Sequence, residues 1–197
     1  MKSEVTLILG SGSPRRKDLL EAMGYRFKTC SLNVDESFPQ DMKPDAAVVY
    51  LAEKKARAFT GDPLEIGITA DTLVYLKGSF LGKPEDAAHA RQLLQQLSGN
   101  VHQVYTGVCL RLGSEYQSFY DCTEVEFRHL ELSEIDYYIR HYNPMDKAGA
   151  YGIQEWIGWI GVLGIRGSYS NVMGLPTALL KEKLEDLLKA KGLSLEK

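Results

Sequence analysis

The stretch Val5-Thr6-Leu7-Ile8-Leu9-Gly10-Ser11-Gly12-Ser13-Pro14-Arg15-Arg16-Lys17 constrains this chain most, because it commits the backbone to a strand, a tight turn and a helix start in quick succession. Val5 to Leu9 is an apolar run of strand length. Ser13 suits an N-cap, and Pro14 suits the first helical position, where its missing N–H would be unpaired anyway. Leu19, Leu20 and Met23 give the helix an apolar face, and Gly24 supplies its stop. Free N–H groups at a helix start already favour an anion. Here Arg15, Arg16 and Lys17 add cations at the positive end of the dipole. That placement makes sense with a polyanion bound there, and otherwise reads as a solvated basic turn. The P-loop spacing is absent, and the dinucleotide pattern would need a third glycine where Arg15 stands.

Length and composition narrow the class. A chain of 197 residues fits one domain, or two small lobes, with ample core. A net charge of −3 argues against wholesale nucleic-acid binding. Cys30, Cys109 and Cys122 are odd in number and lack metal-type spacing, as expected of reduced thiols in a cytoplasmic protein. The chain opens on no charged-then-apolar leader, and no apolar run approaches the ~20 residues of a membrane span. The expectation is a soluble, cytoplasmic protein.

Phe27 to Ser31 reads as a short strand leading into the acidic turn Asn33-Val34-Asp35-Glu36. Lys43-Pro44-Asp45 opens a helix with Val48, Leu51, Ala52 and Phe59 on its apolar face, ending near Thr60-Gly61-Asp62-Pro63. Lys54, Lys55 and Arg57 lie on its later turns, where cations suit the dipole and a solvated face is the plain reading. Ile66 to Ala70 is a second buried strand that delivers Asp71-Thr72 into an apolar run continuing to Leu76. An acid so embedded is expensive unless paired or metal-bound. Lys77-Gly78-Ser79 turns the chain back to Gly82-Lys83-Pro84, where Pro84 holds Lys83 extended.

Glu85 to Leu97 is an amphipathic helix. His102 to Leu112 and Tyr116 to Phe127 form a long antiparallel ribbon, with His102 bracing a strand start. Ser133 caps a short helix over Glu134 to His141. Asn143 to Gln154 alternates small and polar residues, as where backbone approaches a ligand closely. Trp156-Ile157-Gly158-Trp159-Ile160 suits a core or a homodimer contact. Gly167 to Pro176 is turn-rich, and Pro176 opens a last amphipathic helix through Leu188.

In order along the chain stand Ser11-Gly12-Ser13-Pro14-Arg15-Arg16, Val34-Asp35-Glu36, Ala52-Glu53-Lys54-Lys55-Ala56, Ala70-Asp71-Thr72 and Gly82-Lys83-Pro84. Then come Ser98-Gly99 with His102 through Tyr105-Thr106-Gly107, Asp146-Lys147-Ala148-Gly149-Ala150-Tyr151-Gly152-Ile153-Gln154, and Asn171-Val172-Met173-Gly174-Leu175-Pro176. Each motif is weak alone; in register they resemble the Maf family of nucleoside triphosphate pyrophosphatases over nearly the whole chain. The resemblance implies a single domain over 1–197 of α/β class. The fold expected is an elongated mixed β-sheet with flanking helices, two lobes and a central cleft, similar to inosine triphosphate pyrophosphatases. It implies cleavage between the α and β phosphates with a divalent metal, Mg²⁺ or Mn²⁺.

By that resemblance Asp71 corresponds to the proton acceptor and Glu36 to an acidic partner for metal or water. Arg15, Lys55 and Lys83 correspond to a cationic phosphate cradle, with Ser13 at the helix start and Arg16 beside it. Arg15, Thr72 and Gln154 match the set that marks the dTTP/UTP branch; the 7-methyl-GTP branch departs at the last two positions. Leu73, where the family often has Val, is a conservative departure.

Elementary chemistry agrees. A triphosphate carries about four negative charges, and its cleavage calls for cationic positioning rather than covalent help. Arg15 can fork onto two oxygens, whereas Lys55 and Lys83 act as movable point charges. Glu36 and Asp71 can hold a metal through few protein ligands, and either can be the base. Gln154 offers a donor and an acceptor to a pyrimidine 4-carbonyl and N3–H; cytosine's opposite pattern needs the amide flipped, so Gln154 alone discriminates poorly. On residues alone, Lys55 and Lys83 also read as surface lysines, Glu36 as a turn acid and Gln154 as a loop-satisfying amide. The expected function is hydrolysis of dTTP and UTP, with modified pyrimidine triphosphates as further candidate substrates, to clear the nucleotide pool. The alternatives are the 7-methyl-GTP activity and a non-catalytic nucleotide-binding regulator of septation. Expected partners are the nucleotide and a second copy of the chain, with no stable nucleic acid and no membrane.

Overall fold

The apolar run at the amino end forms strand β1 (Ser3–Gly10), and the helix behind it is α1 (Pro14–Ala22). The computed structural model describes residues 3–39 and 41–196. It continues with β2 (Phe27–Cys30), α2 (Pro44–Ala58), β3 (Glu65–Leu76), β4 (Ser79–Leu81), α3 (Ala87–Leu97), β5 (Val101–Leu112) and β6 (Glu115–Phe127). Then follow α4 (Leu132–Tyr142), α5 (Trp156–Gly161), β7 (Val162–Arg166), α6 (Tyr169–Met173), α7 (Thr177–Lys191) and β8 (Leu193–Leu195). The strands are hydrogen-bonded in the order β2-β1-β3-β5-β6-β7, with β4 on β3 and β8 on β1. Strand β1 runs parallel to β2, β3 and β8, whereas β4 pairs antiparallel with β3 and β7 with β6. The sheet is mixed and carries helices, as an α/β chain requires.

Two compact units are built from this sheet. The first comprises Met1–Asp71, Thr106–Asp121 and Gly174–Lys197; the second comprises Thr72–Tyr105 and Cys122–Met173. Strands β3, β5 and β6 each give one part to either unit.

The first unit's core joins Val5, Leu7 and Leu9 of β1 to Ile66, Ile68 and Ala70 of β3, Val108 and Leu110 of β5, and Leu180 and Leu184 of α7. Leu7, Ile8 and Leu9 are buried in succession, so both faces of β1 are covered, as its continuous apolar run and parallel neighbours lead one to expect. Helix α2 buries Ala47, Val48, Leu51, Ala52 and Ala56. It lies close to the sheet: a Cβ built at Gly107 would fall 2.3 Å from Val48 O, so only glycine fits there. The Thr69 hydroxyl donates to Ala52 O at 2.7 Å. Arg111 closes the end of α2, donating through Nη1 to Ala56 O at 2.9 Å and to Phe59 O.

The second unit has its own core, with Leu93, Leu94 and Leu97 of α3 against Val104, Val125, Phe127, Ile135, Tyr138 and Ile157. Two helix starts differ from the sequence expectation. Helix α3 begins at Ala87 rather than Glu85, because the Asp86 carboxylate accepts His89 N at 2.7 Å and so caps it. Ser133 does not cap α4; Glu131 occupies that position and its N–H donates to Glu134 Oε2 at 2.9 Å. The same Glu134 receives a fork from Arg128 Nη1 and Nη2, at 3.0 and 2.7 Å, which fixes the carboxylate for the cap.

The two tryptophans divide between the two readings of their segment. Trp156 packs against the second core, whereas Trp159 is 70% exposed, with Leu163 and Ile165 also exposed nearby in the chain. Among the described residues, no helix is long and apolar enough to cross a membrane.

His102, on β5, does brace the strand start. It is buried, stacks on Phe127 with centroids 5.6 Å apart, and shares a 2.7 Å hydrogen bond between Nε2 and the Tyr151 hydroxyl. Burial lowers its pKa from 6.5 to about 4. Between these values the unfolded chain binds the extra proton, so stability present above pH 6.5 is lost as pH falls toward 4. A shift of this size corresponds to about 3 kcal/mol. Urea midpoints measured from pH 7 to pH 4 should therefore fall steeply in the native protein and less steeply in His102→Gln.

Candidate active site

Asp71 stands in mid-strand on β3 and is 8% exposed. The partner that makes its burial tolerable is Lys55, from the later turns of α2. Lys55 Nζ donates to Asp71 Oδ1, and the same nitrogen lies 2.8 Å from Glu36 Oε1. One ammonium thus bridges two carboxylates, with the lysine and aspartate side chains both largely buried. Residues 36, 55 and 71 come from a loop, a helix and a strand, so only the fold unites them.

Arg16 joins this group electrostatically. Burial pulls its pKa down, Asp71 is the strongest charge holding it up, Arg15 opposes and Glu36 assists. The guanidinium is bound inside the protein: Nε donates to Gly174 O at 2.7 Å and Nη1 to Ser11 Oγ at 3.1 Å. Arg15, one residue earlier, is only half-buried. Lys17 is exposed and lies 3.6 Å from Glu21, an ordinary surface pair. Ser13 occupies the N-cap position with extended backbone, but its side chain makes no capping bond. Its N–H instead donates to Ser11 Oγ at 3.2 Å, so the turn, rather than the helix, takes the hydroxyl at this end.

The loop bearing Glu36 is held from its other side by a lysine that the sequence reads as solvated. Lys54 Nζ lies 3.1 Å from both Asp35 Oδ2 and Ser37 O. Asp35 also accepts Ser37 N at 3.0 Å and the Ser37 hydroxyl. The Ser37 bonds, then Lys54, bring its pKa down to about 2. Consecutive lysines on α2 therefore grip consecutive acids of one loop. The Lys54-Lys55 and Asp35-Glu36 doublets carry that signal, but their pairing across sequence does not.

In the second unit, Thr72 follows Asp71 directly and is half-buried, whereas Lys83 is exposed. Gly149 N donates to Gly82 O at 3.0 Å, which ties the Gly82-Lys83-Pro84 turn to the Asp146–Gln154 motif. Gln154 sits in a turn closed by Glu155 N donating to Gly152 O at 3.0 Å. Its Oε1 is buried without a hydrogen-bond partner among the described residues. A buried acceptor of this kind is costly unless a donor meets it.

Among the described residues no cluster of three or more His, Cys, Asp or Glu side chains could hold a metal. Glu36 and Asp71 are a pair of carboxylates that meet at Lys55 Nζ, so the positive charge between them is the lysine's own.

Comparison with known proteins adds the following. A family model described as Maf-like protein matches residues 6–187. A dTTP/UTP pyrophosphatase of Phocaeicola vulgatus is 52% identical over 184 residues, covering 92% of this chain and 95% of the relative. Proteins of the same name from Bacteroides thetaiotaomicron and Porphyromonas gingivalis are 48% and 45% identical, covering 92% and 91% of this chain and 95% and 93% of theirs. Among solved structures, a HAM1 protein from Coxiella burnetii matches with a TM-score of 0.51 at 13% identity, covering 92% of this chain and 99% of that one. That last likeness concerns the fold.

The two arginines should separate by experiment. Arg16→Met takes the Nε donor from Gly174 O and one of two donors from Ser11 Oγ, which keeps Ser13 N–H, and should lower stability by about 2–4 kcal/mol. Arg15→Met should have a smaller effect on stability. Urea denaturation of both variants checks the difference.

Proposed function

The chain belongs to the Maf-like protein family, and we propose that it hydrolyses dTTP and UTP to the nucleoside monophosphate and pyrophosphate. The observation that carries this reading is Lys55 bridging Glu36 and Asp71 in the same electrostatic neighbourhood as Arg15 and Arg16. Relatives named dTTP/UTP pyrophosphatase over nearly their full length support it.

In this reading Arg15 and the N–H groups opening α1 receive the triphosphate, and Lys83 adds a movable charge. Arg16 keeps the turn in shape and contributes its field. Lys55 orients the two carboxylates, and Asp71, with Glu36 as partner, accepts a proton from the attacking water. Glu36 and Asp71 are also the residues that would hold a divalent cation, which supplies charge neutralisation on the phosphate oxygens. Thr72 and Gln154 meet the nucleoside end. The buried Gln154 Oε1 supports an N3–H donor as its partner. Uracil and thymine carry that donor, and cytosine does not. Work on a nucleotide pool, together with three free cysteines, supports a cytoplasmic setting. The exposed Trp159 supports a homodimer contact, which concentration-dependent sedimentation of native protein and Trp159→Ser checks; equal monomeric profiles reject it.

Pyrophosphate release should be measured from dTTP, UTP, CTP, purine triphosphates and 7-methyl-GTP, with and without Mg²⁺. Preference for dTTP and UTP is expected, and turnover confined to 7-methyl-GTP would move the chain to the other branch. Asp71→Asn should lower kcat by about 10²-fold or more while nucleotide binding persists. A non-catalytic regulator predicts no turnover by the native protein.

A further inference from the structure

At the Asp146–Gln154 motif and the residue after it stands an ionic cluster, centred on one buried lysine, that phosphate chemistry leaves unused. Lys147 is buried, and its Nζ lies 2.8 Å from Asp146 Oδ1 and 3.2 Å from Glu155 Oε1. The other oxygen of Glu155 accepts the hydroxyl of Tyr138, a fully buried residue of α4. That phenol oxygen in turn accepts Gly152 N–H at 3.0 Å. Burial first, and Glu155 second, raise the Tyr138 pKa, so the phenol remains a donor to Glu155 throughout the working pH range.

The residues so gripped are the two ends of one turn. Gly152 and Glu155 are its first and last residues, joined by the Glu155 N to Gly152 O bond, and Gln154 is its third. One phenol therefore holds both ends of the turn that carries the base-facing amide. The packing leaves no slack: a Cβ at Gly152 would fall 2.6 Å from Glu155 Cδ and 2.8 Å from its Oε2. On the far side, a Cβ at Gly158 of α5 would fall 2.1 Å from Ile153 O, so the helix backbone closes on the turn there. Buried charge rarely adds stability over apolar packing of the same shape, whereas it does fix geometry in some proteins.

We infer that Tyr138, Glu155 and Lys147 are positioning residues for base selection, holding the Gly152–Glu155 turn so that Gln154 Oε1 meets the N3–H of a uracil-type base, which cytosine lacks. The inference rests on the reading that Gln154 meets the base. The test compares kcat and KM for UTP and CTP in the native enzyme, Tyr138→Phe, Glu155→Gln and Gln154→Ala, with melting temperatures recorded. In the first two variants the UTP-to-CTP ratio of kcat/KM should fall about tenfold, through a higher KM for UTP with kcat held within about twofold. A purely structural role lowers both substrates together and leaves the ratio in place, which overturns the inference. An unchanged ratio in Gln154→Ala overturns the base reading and this inference with it. A ratio that collapses in Gln154→Ala but holds in Tyr138→Phe and Glu155→Gln overturns the positioning role alone. If a single change unfolds the protein, the paired replacement Lys147→Met with Glu155→Gln removes both charges together and decides by the same ratio.

Discussion

A single ammonium group placed between two carboxylates organises the charged cluster of the first unit. Asp71 lies buried inside a largely apolar strand, where a carboxylate without a partner would be costly. Lys55 is that partner and, by also reaching Glu36, draws a loop acid to the same point. The arrangement is reciprocal, since a lysine this buried would itself be unfavourable without its acids. Arg16 completes the balance from α1, buried and bound to Gly174 O and Ser11 Oγ, so that it contributes charge from a fixed position.

The fold makes this possible by separating support from function. Parallel pairing of β1 with β2 and β3 covers the first strand on both sides and leaves the following turn and α1 to present polar groups. Close packing of α2 on the sheet, set by Gly107 and the Thr69 hydroxyl, determines where Lys54 and Lys55 emerge. The Glu36 loop has no regular structure to hold it, so ion pairs and an Asp35–Ser37 turn do that work. In the second unit the same division recurs. A buried phenol, a carboxylate and a lysine hold the four-residue turn that carries Gln154.

Most of the element pattern was legible in the residues, because strand-length apolar runs and helical apolar faces report burial directly. Where the residues mislead, either a local bond belongs to a different side chain or a short element leaves no pattern, as with α6 inside the turn-rich Gly167–Pro176 stretch and the strands β7 and β8. Ser133 has the chemistry of a cap, but the Arg128 fork orients Glu134 toward Glu131 and moves the helix start back. Ser13 sits at the helix start, yet Ser11 receives the hydrogen bond of the turn. The paired tryptophans were ambiguous by composition, and the fold resolved them by burying one and exposing the other.

The candidate site divides in the same way. An acid in an apolar strand and cations at a helix start are anomalies that the sequence alone determines, since desolvation and the helix dipole act whatever the tertiary context. Which lysine meets Asp71, and which arginine is buried, were decided only by tertiary structure. Adjacent helical residues point about 100° apart, so Arg15 and Arg16, or Lys54 and Lys55, face different surroundings although the sequence treats them alike. Tyr138 left no trace for the same reason: its role is set by the turn that folds against it, and contacts between distant residues exist only once the chain is packed.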